Sequence, residues 1–289
     1  MSRTPRILVH VPLCQYERWS ATHALTALGA VSSGNARLHI IAQVQTPEHD
    51  WPELMALLGE LNLYTPHAWI ARYWWDATLE QPGPGHERLA GITRSRNAAL
   101  AEARHWDYDA VWYVDSDVLV PPDAFLRLWA LDAPLTSGVF WQTTAAGVPY
   151  CFTKDLHRAE YGLAAEPGGG YDCHFIRWLP REGIVPADFT GAGCFMVRGQ
   201  ALASDLVFHY GWREQDGRFW AEDPTFCLDA LDRGIGPVYT ECSVQCWHTR
   251  ADGLAVRGEE TRPTAELLAE ARQGWSTLAR LPAERMVRG

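Results

Sequence analysis

Short apolar runs rich in β-branched residues alternate with helix-length segments through most of the chain, and that alternation leaves few folds open. Arg6 to Leu13 (RILVHVPL) is the first such run, interrupted by Pro12 near its end, and reads as a buried strand. Residues 20–31 follow as a helix with Ser20 at its N-cap, 37–45 as a second strand, and 51–63 as a helix with Pro52 in its first turn. Gln81 to Gly85 (QPGPG) reads as a loop and 92–106 as a helix. A strand over 110–114 (AVWYV) then runs into Asp115-Ser116-Asp117. Beyond it, 123–131, 223–233 and 264–281 carry helical spacing, and 135–141, 188–198 and 237–247 read as strands. Strands alternating with helices predict an α/β fold: a mixed, mostly parallel sheet flanked by helices. Ligands of such sheets sit beyond the carboxyl ends of the strands. The ends of the first strand and of 110–114 therefore point to one crevice.

The rest of the chain adds limits. At 289 residues, 47% apolar and 21% charged, it is long enough for a sizeable core. One domain is expected over 1–250, with a long loop at about 143–187 around Gly168-Gly169-Gly170, and a helical extension over 251–289. That last helix either packs on the domain or meets a membrane or partner. A net charge of −10 lacks the broad basic footprint of a general nucleic-acid binder, so bulk nucleic-acid binding is not expected. Seven spread cysteines and no run of about 18 apolar residues predict a reduced, cytoplasmic protein without a transmembrane segment. Fourteen tryptophans are many, and Trp141 and Trp178 are candidates to stack on a sugar, against plain packing.

Four constellations carry chemistry. Asp115 and Asp117, two apart in an extended segment, face the same side. Close carboxylates repel unless a cation sits near, and Mg²⁺ or Mn²⁺ suits such oxygens; a turn or cap is the plainer reading. Arg94, Arg96 and Asn97 at a helix start could hold an anion, or simply form a solvated first turn. Glu222-Asp223 offers a general base, or a cap followed by Pro224. The segment Val238 to His248 places Val238, Thr240, Cys242, Val244, Cys246 and His248 on one face. There His248 is a core histidine, a ligand to the same cation as Asp117, or part of a zinc site with Cys242 and Cys246 that lacks a fourth ligand.

In order, the strand ending in Val11-Pro12, then SRNAAL, YVDSDV, LTSGVFW, FTGAGCFMVR, WAEDPTFCLDA and VYTECSVQCWH resemble the GT-A fold glycosyltransferases, especially family-2-like members, over about residues 5–250. The resemblance implies a Rossmann-like GT-A sheet and a hexosyltransferase-like enzyme using a nucleotide-sugar, a UDP- or GDP-sugar. It places Val11, Pro12, Arg94, Arg96 and Asn97 at the nucleotide. It places Asp115 at ribose or metal, Asp117 and His248 on a divalent metal (Mn²⁺ or Mg²⁺), and Gly191-Ala192-Gly193 beside the donor sugar. Glu222 and Asp223 would face the acceptor, with Asp223 favoured as base. The acceptor is not implied. The long 143–187 segment and the lack of an acceptor domain after residue 250 depart from the family.

A nucleotidyltransferase on the same kind of sheet is the alternative within enzymes, but it wants a glycine-rich loop after the first strand, and VPLCQYERW has no glycine. A catalytically dead sugar- or nucleotide-binding protein is the other alternative. The intact acids and His248 weigh against it.

Overall fold

The computed structural model describes residues 3–14, 18–46, 51–74, 86–143, 149–151, 153–154, 163–164, 175–176, 181–215 and 217–279. The first half is β1 (Arg6–Cys14), α1 (His23–Leu28), β2 (Arg37–Gln45), α2 (Pro52–Tyr64), β3 (Ala68–Trp74), α3 (His86–His105) and β4 (Ala110–Val114). Then come β5 (Val118–Leu119), α4 (Ala124–Ala130) and β6 (Leu135–Thr143). The main sheet runs β3-β2-β1-β4, then the strand Cys194–Arg198, β6, the long strand Val238–Thr249, and the strands Leu254–Arg257 and Glu260–Pro263. β1, β2, β3 and β4 are mutually parallel, Cys194–Arg198 is antiparallel to both neighbours, and Val238–Thr249 is parallel to β6. The expected α/β class with a mixed sheet flanked by helices is therefore the architecture found.

Period-two alternation explains how one sheet carries helices on both sides. Ile7, Val9 and Val11 of β1 and Trp112 of β4 pack on one face with Leu25, Leu28, Leu54 and Leu61 of α1 and α2. Leu8 of β1 and Val111 and Tyr113 of β4 pack on the other with Leu100 and Ala103 of α3 and Phe226 of the helix Glu222–Asp232. All five residues of β4 are buried, so it reads as a continuous apolar run. The chain moves outward through β1, β2 and β3, then returns to the other side of β1 with β4. That reversal opens a crevice at the carboxyl ends of β1 and β4.

Several local expectations change. Ser20 is not the cap of α1; Thr22 holds that place, and Ser20 Oγ lies 3.2 Å from Ser116 Oγ. β3 was not foreseen. The long strand keeps its alternation to Cys246, through a register shift on β6 between Glu241 and Gln245, and then Trp247 is buried too and His248 only partly so. Within 143–187, where a long loop is expected, short strands are described at Pro149–Cys151, Thr153–Lys154, Leu163–Ala164, Phe175–Ile176 and Ile184–Ala187; most other positions, with the triple glycine and Trp178, lie outside the described residues, as does Gln81 to Gly85. The strands Leu254–Arg257 and Glu260–Pro263 were likewise unforeseen, and they join the main sheet through Val256 opposite His248. The C-terminal helix Thr264–Ala279 packs on α1, where buried Trp275 donates its indole N–H to Thr26 O at 3.0 Å. No described helix is long and apolar enough to cross a membrane.

Candidate active site

The turn Asp115-Ser116-Asp117 is held from three sides. Asp115 N–H donates to Gly193 O at 3.1 Å, Val118 N–H to Asp115 O at 3.0 Å, and Ala24 N–H to Ser116 O at 3.3 Å. Thr249 N–H donates to Asp117 O at 2.7 Å, and its hydroxyl donates to the same oxygen at 3.1 Å. The segment is a turn, not the extended run expected, and its two carboxylates take different partners. Asp115 goes to Arg96, with Oδ1 2.9 Å from Nη2. Asp117 goes to His248, with Oδ2 3.1 Å from Nε2. The second contact follows from topology: β5 pairs antiparallel with the long strand, placing Val118 opposite His248.

Asp117 and His248 are each partly exposed, 23% and 19% for their side chains. Among the described residues, no three His, Cys, Asp or Glu side chains are grouped to hold an ion. Two ligands side by side nevertheless fit a hard cation that completes its shell with waters and substrate phosphates. A zinc site with Cys242 and Cys246 fits poorly. Both thiols are buried, and burial pushes Cys242 up to about 11 and Cys246 upward as well, away from the thiolate zinc requires.

Arg96 lies inside α3, not at a helix start, since α3 begins at His86. The helix-terminus argument for binding an anion at Arg94, Arg96 and Asn97 therefore lapses. Arg96 is 2% exposed, and its other terminal nitrogen pairs with Glu222 Oε1. Its two carboxylate partners raise its pKa against the opposing effect of burial. Asn97 is spent on structure: its amide donates to Phe208 O at 2.7 Å and accepts from Phe208 N–H at 2.8 Å. Arg94 is exposed.

The acid pair is placed by a helix that starts earlier than expected. Ala221 is the N-cap, so Glu222 and Asp223 both lie in the first turn, and Asp223 is not a cap. Glu222 is buried against Arg96. Asp223 keeps part of its surface at solvent, and its Oδ2 accepts the Ala192 N–H at 3.2 Å. Burial first, then the Glu222 charge, push its carboxyl up to about 7, while Arg96 and the Ala192 N–H oppose that rise. A carboxyl poised near neutrality is suited to accept a proton. The glycines beside it have a steric reason: a Cβ on Gly191 would sit 2.6 Å from Phe140 Cζ and 3.4 Å from Asp223 Oδ2, and one on Gly193 would sit 3.1 Å from the same ring.

At the end of β1, Val11 is wholly buried in the core and Pro12 partly so. Two histidines outside the expected set of site residues sit nearby. His10 is fully buried, with Nε2 2.9 Å from Ser95 Oγ and 3.2 Å from Gln43 Oε1; burial, helped by Arg96, pushes its pKa down to about 3. His23 Nδ1 lies 3.2 Å from the Thr249 hydroxyl that grips Asp117, and burial lowers its pKa against the pull of Asp117. Neither histidine sits in a motif, so only the fold brings them here. Trp141 is buried, and its N–H donates to Gln245 Oε1 at 2.8 Å.

No protein-family model matches the chain, and no curated protein matches it. Among solved structures, it is similar to A197 from STIV, with 12% identity, TM-score 0.46, and coverage of 89% of this chain and 92% of that one. It is also similar to S. aureus TarS 1-349 in complex with UDP, with 14% identity, TM-score 0.48, and coverage of 97% and 68%. Against S. aureus TarS the identity is 13%, the TM-score 0.47, and the coverage 86% of this chain and 37% of that one. Likeness at this level is one of chain path only.

Proposed function

We propose that the chain is a metal-dependent glycosyltransferase that moves a sugar from a nucleotide-sugar donor, a UDP- or GDP-sugar, to an acceptor hydroxyl. The observation that carries the reading is the division of labour at the crevice. Asp117 and His248 stand together and partly exposed, while Asp223 is held apart, near-neutral, against the Gly191-Ala192-Gly193 turn. One pair is suited to a cation and diphosphate, the other acid to proton transfer. The series of segments that resembles GT-A enzymes supports the same assignment.

Asp117 and His248 would hold Mn²⁺ or Mg²⁺, whose charge offsets the negative charge that grows on a departing nucleoside diphosphate. Asp115, kept in place by Arg96, sets the turn that presents Asp117 and borders the nucleotide. The glycines let backbone approach the donor sugar without a Cβ in the way. Asp223 takes the proton of the acceptor hydroxyl as that oxygen attacks C1 in an oxocarbenium-like displacement. Trp178 stays the candidate to line the acceptor side, whereas Trp141 is buried with its N–H on Gln245 and packs in the fold instead.

Calorimetric titration with UDP, GDP and CDP, each with and without Mn²⁺, tests the reading. Saturable binding of one nucleoside diphosphate that depends on Mn²⁺ is the expected result. No binding by any of the three under either condition would overturn it.

A further inference from the structure

We infer that Arg96 is a positioning residue: its buried guanidinium ties the turn after β4 to the first turn of the helix Glu222–Asp232, engages Glu222, and leaves Asp223 as the acid of the pair that meets substrate. The inference rests on the reading of Asp223 as the base and deepens it.

The geometry is a three-part clamp. One terminal nitrogen of Arg96 is on Asp115 Oδ1 at 2.9 Å, the other is on Glu222, and the guanidinium carbon lies 5.9 Å from the centre of the Phe208 ring. α3 supplies the cation, the metal-side turn one acid, and the acceptor-side helix the other. The two halves of the crevice are thereby held in register by a single planar group, a task that suits arginine's rigid fork. Tyr113 fixes the clamp from below by donating its hydroxyl to Arg96 O at 3.2 Å. The guanidinium is 2% exposed and has both terminal nitrogens on carboxylates.

The clamp also sets the charge around Asp223. From its own helix Asp223 feels Glu222 and lies near the Cys227 thiol; from α3 it feels Arg96; from the turn after β4 it feels Asp115; and the Ala192 N–H touches it directly. Arg96 and Glu222 act on Asp223 in opposite directions. Removing Arg96 therefore raises the Asp223 midpoint, whereas loss of packing would lower it by admitting water; Glu222→Gln keeps the packing and removes only the neighbouring charge.

The test is a ¹³C-carboxyl NMR titration of the whole chain, with the Asp223 signal assigned by its absence in Asp223→Asn. Arg96→Met should raise the Asp223 midpoint by about one pH unit or more, and Glu222→Gln should lower it. Glu222→Gln keeps the shape and an acceptor for Arg96, so it carries the test if Arg96→Met fails to fold. An unchanged midpoint in Glu222→Gln, or a rise, would overturn the inference. The titration needs no sugar nucleotide. UDP, GDP and CDP, each titrated with and without Mn²⁺ into the wild type in parallel, test the transferase reading separately: no binding of any of them, with the expected shifts in the variants, would discard the transferase and keep the clamp.

Discussion

Replacing Asp223 by asparagine removes a charge and keeps the shape, including an oxygen for the Ala192 N–H. Burial and the neighbouring Glu222 charge push the carboxyl up to about 7 in the folded chain, from an ordinary aspartate value of 3.8. Between about pH 4 and about pH 7 the native state therefore binds this proton more tightly than the unfolded chain does. The sign follows: this group's contribution to stability falls as pH rises through that window. A rise of this size costs the charged form roughly 4 kcal/mol in a sealed site. Asp223 keeps part of its surface at solvent, which screens the penalty, and about 2–3 kcal/mol is the working figure. Asp223→Asn should thus match the wild type near pH 4 and exceed it by about 2–3 kcal/mol at pH 8, measured by urea unfolding at both pH values. A carboxylate that merely stabilised a helix N-terminus gives the opposite sign, a loss of about 0.3–1 kcal/mol on neutralisation. Sugar transfer should meanwhile fall by roughly 10²–10⁴-fold, with donor affinity near the wild-type value. An asparagine variant less stable than wild type at pH 8, or one with near-normal turnover, would refute the reasoning.

Asp117→Ala and His248→Ala should each weaken Mn²⁺-supported binding of UDP or GDP by at least about tenfold in calorimetry, because each removes one of two adjacent ligands; unchanged Mn²⁺ dependence in both would remove them from the cation site. Gly191→Ala should lower stability by about 1–3 kcal/mol in urea unfolding, since its Cβ would meet Phe140 Cζ at 2.6 Å. Trp275→Ala should cost about 3–5 kcal/mol in the same assay, because it empties a buried site and strands Thr26 O.

The apolar strands were legible because periodicity reports burial. β1, β2 and β4 fall where RILVHVPL, ARLHIIAQV and AVWYV place them. β3 was missed although Trp69, Ala71 and Tyr73 alternate and pack on the core; it is the edge of the sheet, its other face carries the exposed Ala68 and Ile70, and Arg72 interrupts the apolar run. The hairpin strands Leu254–Arg257 and Glu260–Pro263 were missed because the second has no buried residue and both are short. At the site, residue types were readable and partners were not. Arg96 reads as a phosphate-binding arginine until the fold brings it to Asp115 and to Glu222, 126 positions away. Asp115 and Asp117 share a side in an extended chain, but a turn sends one to α3 and the other to the long strand. His23 enters through its contact with Thr249, which no local pattern encodes.

Phosphorus NMR of the products tests the central claim most directly. Incubating the protein with UDP- and GDP-sugars and Mn²⁺ should release the nucleoside diphosphate from one donor, slowly with water as acceptor and faster once an acceptor is supplied. That pattern marks cleavage at the bond between the sugar and the diphosphate. Appearance of nucleoside monophosphate with sugar phosphate would mark cleavage within the diphosphate instead, and it would contradict the account.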